Sequence, residues 1–184
     1  MLSIPNYNIY KKVMATLFFT YLIILLWIVI FKCNQNQYLH IAEKKDWTLK
    51  ERIEPYPFKK WIDAYKEGYF SKIEFIAFIF NFICFLPFGA LLRFFTDKSW
   101  LVITIGSVFC VGIEVFQILS RWGGLEYTDI VMTILGVVCG VWIYDFLRPR
   151  MSEKLINIIA VCSLCCSLPL SVFTVINTIN NFPV

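Results

Sequence analysis

The chain has 184 residues, of which 59% are hydrophobic and only 16% charged. That balance excludes an ordinary water-soluble domain, whose apolar share is about 45–50%, and the length suits one domain. The net charge of +4 comes from 17 basic and 13 acidic residues scattered between apolar runs. Nucleic acid is therefore not an expected partner, and the lipid bilayer is.

A membrane-spanning helix needs about 20 mainly apolar residues. Five segments reach or approach that length: residues 14–31, 73–92, 100–119, 130–147 and 155–176. Runs this long and uniform fit helices rather than the alternating strands of a barrel. The expected fold is all-α: a polytopic transmembrane helix bundle of about five spans, forming a single integral membrane domain over residues 1–184, with an amphipathic interfacial helix in the long first loop.

The first run follows Lys11 and Lys12. It is long for a signal peptide and no small-residue cleavage site follows it, so a retained span is expected. In the first loop, Phe58, Trp61, Ile62, Tyr65 and Tyr69 recur at helical spacing, with Lys59, Lys60, Asp63, Lys66 and Glu67 between them. This pattern predicts a helix lying in the membrane interface, with Pro55 and Pro57 marking the break before it. It would serve either as a plain connector or as a lid whose lysines meet phosphate headgroups.

The second run presents Ala77, Asn81 and Cys84 as one small, polar face, where Asn81 suits an interhelical hydrogen bond. The third carries Glu114, Gln117 and Arg121 at i, i+3 and i+7, with Ser107 and Cys110 extending the stripe inward. At 1.5 Å per residue, Glu114 lies roughly 10 Å deeper than Arg121. A charge at the bilayer centre costs about 2.5–3.5 kcal/mol, so these residues point either to a Glu114–Arg121 ion pair or to a ligand.

The fourth run bears Asp129, Thr133, Gly136 and Gly140 on one stripe. Gly136-x-x-x-Gly140 is a small-residue pattern that allows close helix approach, and Asp129 beside Thr128 fits a helix N-cap. Asp145 near the other end suits a pair with Arg148. The fifth run holds Cys162, Cys165 and Cys166 among Ser163 and Ser167, which reads as small-residue packing. Seven cysteines, mostly inside apolar runs, do not make a disulfide framework. The lone His40 gives no ligand spacing, and no metal or cofactor is expected.

Basic residues set the expected orientation. With the N-terminus cytoplasmic, Lys11, Lys12, Arg93, Lys98, Arg148, Arg150 and Lys154 face inward and the short outer loop holds only Arg121. The long first loop, with nine basic residues against six acids, pulls the other way. Either way, five spans put the first and third loops on one membrane face. Glu74, Glu114, Gln117, Arg121, Glu126 and Asp129 share that face.

Three blocks resemble the VanZ-like membrane proteins, over residues 51–147. They are Glu54-Pro55-Tyr56-Pro57-Phe58; Asn81 followed by apolar residues and Pro87-Phe88-Gly89; and Glu114-x-x-Gln117 followed by Gly123-Gly124-Leu125-Glu126-Tyr127-Thr128-Asp129 and Gly136. The chain departs from the family pattern at Glu126, Thr128 and Thr133, where the family usually carries aspartate, aspartate and asparagine. These departures speak against a cation site built on paired acids. The resemblance implies a bacterial envelope protein of the cytoplasmic membrane, and the family's namesake is associated with teicoplanin resistance.

The leading expectation is a non-enzymatic envelope protein with an interfacial polar pocket lined by Asn81, Glu114, Gln117, Arg121, Glu126 and Asp129. Its ligand would be a lipid-linked envelope precursor or a lipoglycopeptide. One alternative is an intramembrane enzyme on a lipid-linked substrate, with Glu114 and Asp129 as acid and base. Another is a structural or accessory membrane partner whose stripes only pack helices.

Overall fold

The computed structural model describes residues 7–30, 48, 50, 52–68, 72–120, 124–150, 172 and 176. They form helices α1 (Tyr7–Ile30), α2 (Lys59–Lys66), α3 (Lys72–Phe95), α4 (Ser99–Leu119) and α5 (Tyr127–Leu147), then a 3-10 turn at Arg148–Arg150. Among the described residues there is no strand, only an isolated parallel bridge between Ile53 and Leu125. The all-helical expectation holds. The first four apolar runs coincide with α1, α3, α4 and α5. The fifth lies outside the described residues apart from Val172 and Ile176, both helical.

Among the described residues, α4 and α5 are long and apolar enough to cross a membrane. Their 21 residues each reach about 31 Å as α-helix, close to the ~30 Å hydrocarbon core. The corresponding apolar stretch of α3, Ile79–Phe95, is shorter.

The chain divides into two compact units, Met1–Lys32 with Asp145–Val184, and Cys33–Tyr144. In the first, Met14, Leu17, Ile24, Leu25 and Val29 of α1 are buried. Their spacing makes one stripe, while Phe19 and Ile23 are exposed.

In the second unit α3, α4 and α5 meet around Val137, which is fully buried. The contacts depend on glycine. A Cβ on Gly106 of α4 would strike the Val137 side chain, and one on Gly89 of α3 would strike the Val137 backbone. A Cβ on Gly136 would meet the Phe82 carbonyl and Phe85, and one on Gly140 the Leu86 carbonyl and the Ala90 nitrogen. Gly136-x-x-x-Gly140 is thus a packing face against α3. It lets two backbones approach so closely that dispersion and backbone contacts replace side-chain interdigitation.

Aromatic rings fill the space beside that seam. Phe88 stacks on Phe109 with centroids 5.2 Å apart, and Phe85 lies 6.4 Å from Phe109. Pro87 sits inside α3 without ending it. The block Pro87-Phe88-Gly89 therefore has a packing role: a missing N–H, a core ring and a backbone contact.

Candidate functional site

The register of the trio places the polar residues at one end. Gly136 and Gly140 climb α5 alongside Phe82 and Leu86 of α3, so these two helices run parallel. Glu114 meets Glu126 and Gly106 meets Val137, so α4 runs antiparallel to α5. One turn from Gly136, Thr133 falls at the level of Asn81. Both are buried, with 4% and 3% of their surface exposed. Cys110 is buried at the same level, its Sγ 3.9 Å from the Ile130 carbonyl oxygen. This polar layer lies directly over the aromatic layer of Phe85, Phe88 and Phe109.

Glu114 stands one turn further out on α4 and is 4% exposed. Its Oε2 accepts the backbone N–H of Glu126 at 3.1 Å. Glu126 immediately precedes α5, and its carbonyl accepts the N–H groups of Asp129 and Ile130 at 3.0 and 3.3 Å. The Glu114 carboxylate thus lies at the positive end of the α5 dipole, where a negative charge is favoured. Gln117, one further turn out, is also buried, and its backbone carbonyl accepts the Ser120 hydroxyl.

Asp129 lies in the first turn of α5 rather than at its N-cap, because the helix begins at Tyr127. A first-turn acid still complements the dipole. Asp129 and Glu126 are half-buried. Arg121 lies outside the described residues. The structure therefore joins Glu114 with Glu126 directly, has Gln117 buried one turn further along α4 and Asp129 in the first turn of α5, and places Asn81 a turn deeper.

Residues 52–58 form a strap tied to this end. The Leu125 N–H donates to the Arg52 carbonyl at 2.9 Å, and the Glu54 N–H donates to the Leu125 carbonyl at 3.0 Å. A Cβ on Gly124 would collide with the Arg52 carbonyl. The Phe58 N–H donates to the Thr128 hydroxyl at 2.7 Å. Residues 52–58 are thereby tied to residues 124–128, which lead into the first turn of α5.

Phe58 adopts the left-handed conformation, φ 61°, which costs a non-glycine residue roughly 1–2 kcal/mol. It occupies the N-cap position of α2 without a side-chain cap. The Thr128 hydroxyl holds the turn that redirects the chain from strap into helix. On α2, Ala64 is buried while Ile62 and Tyr65 are exposed. Lys59 donates to Asp63 at 2.9 Å. That hydrogen bond and the attraction behind it lower the Asp63 carboxyl and raise the Lys59 ammonium from their ordinary ranges.

Arg52 escapes a reading of the sequence by pattern: it is 8% exposed yet sits among many charged loop residues with no spacing to single it out. Thr128 and Leu125 stand in the block of residues 123–129, but the sequence gives neither its partner: the Thr128 hydroxyl accepts the Phe58 N–H, and Leu125 contributes through its backbone, which no side-chain pattern reports.

Three apolar helices with a buried polar end beneath a strap define an all-helical protein of membrane character. The sequence model of the VanZ/LLP1 family matches residues 18–148, well over half of the chain, and the chain belongs to that family. The match begins inside α1, so it extends beyond the 51–147 stretch that carries the motifs. No curated protein and no solved structure matches the chain. Family membership and the two helices of spanning length together point to a membrane location.

Proposed function

We propose that this chain is a multi-pass envelope protein of the cytoplasmic membrane. In this reading residues 1–184 form one integral domain of five spans with the N-terminus cytoplasmic. Asn81, Glu114, Gln117, Arg121, Glu126 and Asp129 recognise the polar head of a lipid-linked envelope molecule or a lipoglycopeptide, and the protein contributes in this way to teicoplanin resistance. One observation carries the reading: a carboxylate, Glu114, is buried in a helix long enough to cross a membrane, directly below the strap. Intramembrane acids of this kind mark functional sites by default. The acids would accept hydrogen bonds from ligand hydroxyl or amine groups, and the planar fork of Arg121 would suit a phosphate or carboxylate.

The test is expression in a susceptible Gram-positive host, comparing wild type with Glu114→Gln at equal membrane abundance. Wild type should raise tolerance to teicoplanin and leave that to vancomycin unchanged, and Glu114→Gln should lose the gain. A teicoplanin response unchanged by wild type would overturn the resistance reading. A reporter fused after Val184 tests the topology, since five spans with an inside N-terminus demand an outside signal.

The Glu114–Glu126 hydrogen bond also favours a second reading, in which Glu114 clamps the start of α5 and the cluster is structural. Under that reading Glu114→Ala would lower membrane abundance itself.

A further inference from the structure

The function proposed above makes no use of α2, yet the structure leaves this helix with a defined outward face. Ile62, Tyr65 and Lys66 stand at i, i+3 and i+4, hence on one side. All three are exposed, Tyr65 by 87%. Ala64, on the far side, is buried. Lys59 borders the exposed stripe and is held by Asp63, whereas Lys66 makes no ion pair among the described residues.

The strap fixes the height of this helix. Phe58, the residue before α2, bonds to Thr128, the second residue of α5. The apolar length of α5 matches the hydrocarbon core, so α2 starts at the level where that core ends. An aromatic ring with a polar tip, an aliphatic side chain and an ammonium are the groups that prefer this level.

We propose that Ile62, Tyr65 and Lys66 form a lipid-contact site. Tyr65 and Ile62 enter the headgroup boundary and Lys66 meets phospholipid phosphate, with a preference for anionic headgroups. The occupant is the bilayer in which the protein itself sits. The charge of Lys66 complements the phosphate, and a basic residue near an anionic surface contributes about 1 kcal/mol, or about fivefold in local lipid preference.

The experiment uses the full chain in nanodiscs of mixed phosphatidylcholine and phosphatidylglycerol. The photo-crosslinking residue p-benzoylphenylalanine replaces either Tyr65 or Glu67. Glu67 is exposed too but lies about 160° away around the helix, at roughly 100° per residue. Mass spectrometry should find lipid adducts at position 65 and few at 67, with phosphatidylglycerol enriched above its mole fraction. Adding Lys66→Gln should reduce that enrichment by up to about fivefold. Absent adducts, equal adducts at both positions, adducts in plain proportion to the lipids, or crosslinks to a second copy of the chain would each overturn the proposal. Both positions are exposed, so a label that prevented folding would contradict their placement and overturn it as well.

Discussion

The carboxylate of Glu114 accepts the backbone N–H of Glu126 across 3.1 Å, so one buried side chain of α4 governs how α5 begins. The acceptor is a side chain and the donor is backbone, so substitution at Glu114 tests the contact while the donor stays in place. Glu114→Gln keeps an oxygen in place, loses only the charge assistance, and should cost about 1 kcal/mol. Glu114→Ala strands the Glu126 N–H and should cost about 1–3 kcal/mol. Thermal unfolding of the detergent-solubilised protein should rank them wild type, Gln, Ala. Equal stability of all three would remove the clamp.

The strap depends on a second side-chain-to-backbone contact, in which the Thr128 hydroxyl accepts the Phe58 N–H. Thr128→Val preserves shape and removes the acceptor. A lost hydrogen bond of this kind contributes about 1 kcal/mol, so amide exchange at Phe58 should quicken about fivefold at the 1.4 kcal/mol per tenfold scale. Thr128→Ser should restore the slow rate, because the hydroxyl alone is required.

The glycines of the seam should respond by position rather than by residue type. A side chain at Gly140 would meet backbone atoms of Leu86 and Ala90, which cannot swing aside, whereas one at Gly112 meets nothing within 4 Å. Gly140→Ala should destabilise by about 1–3 kcal/mol, as overpacking does. Gly112→Ala should be neutral or mildly stabilising, since alanine is the better helix former. Melting temperatures in one detergent decide between them.

The Lys59–Asp63 pair sets a pH window for α2. The Asp63 carboxyl is lowered by its hydrogen bond with Lys59, so its contribution is present above the ordinary carboxylate value of about 3.9. It is lost as pH falls through the lower native value. The Lys59 ammonium is raised by the same bond, so its contribution is present below about 10.4 and lost as pH rises through the higher native value. Between those limits α2 should show constant helicity by amide exchange. Because the pair is exposed, raising the salt concentration should weaken both end effects.

How much of this was legible beforehand differs by element. The helices behind four apolar runs follow from hydropathy and length, because lipid leaves backbone groups no other partner. The close seam follows from Gly136 and Gly140, whose spacing suits one purpose well. The short helix α2 follows from its periodicity, although Phe58 turns out to precede it as the left-handed residue of the turn, and Asp129 falls inside α5 rather than capping it. Helix starts slip in this way because a cap is defined by backbone geometry that neighbouring residue types leave open.

By itself the sequence determined which segments are apolar helices, which residues form the polar and small stripes, and that Glu114 and Gln117 are the costly groups among them. Those properties depend on residue identity and spacing along one helix. Only the tertiary structure decided that residues 52–58 pair with residues 124–128, that Thr128 holds Phe58, that Arg52 is buried, and that the Glu114 carboxylate serves the Glu126 N–H. The contacts between residues 52–58 and 124–128 join positions far apart in the chain, and each of these contacts uses a backbone N–H or C=O group. Every residue except proline carries both groups, so their pairing leaves no mark in the sequence and is set by which backbones the packed helices bring within hydrogen-bonding distance.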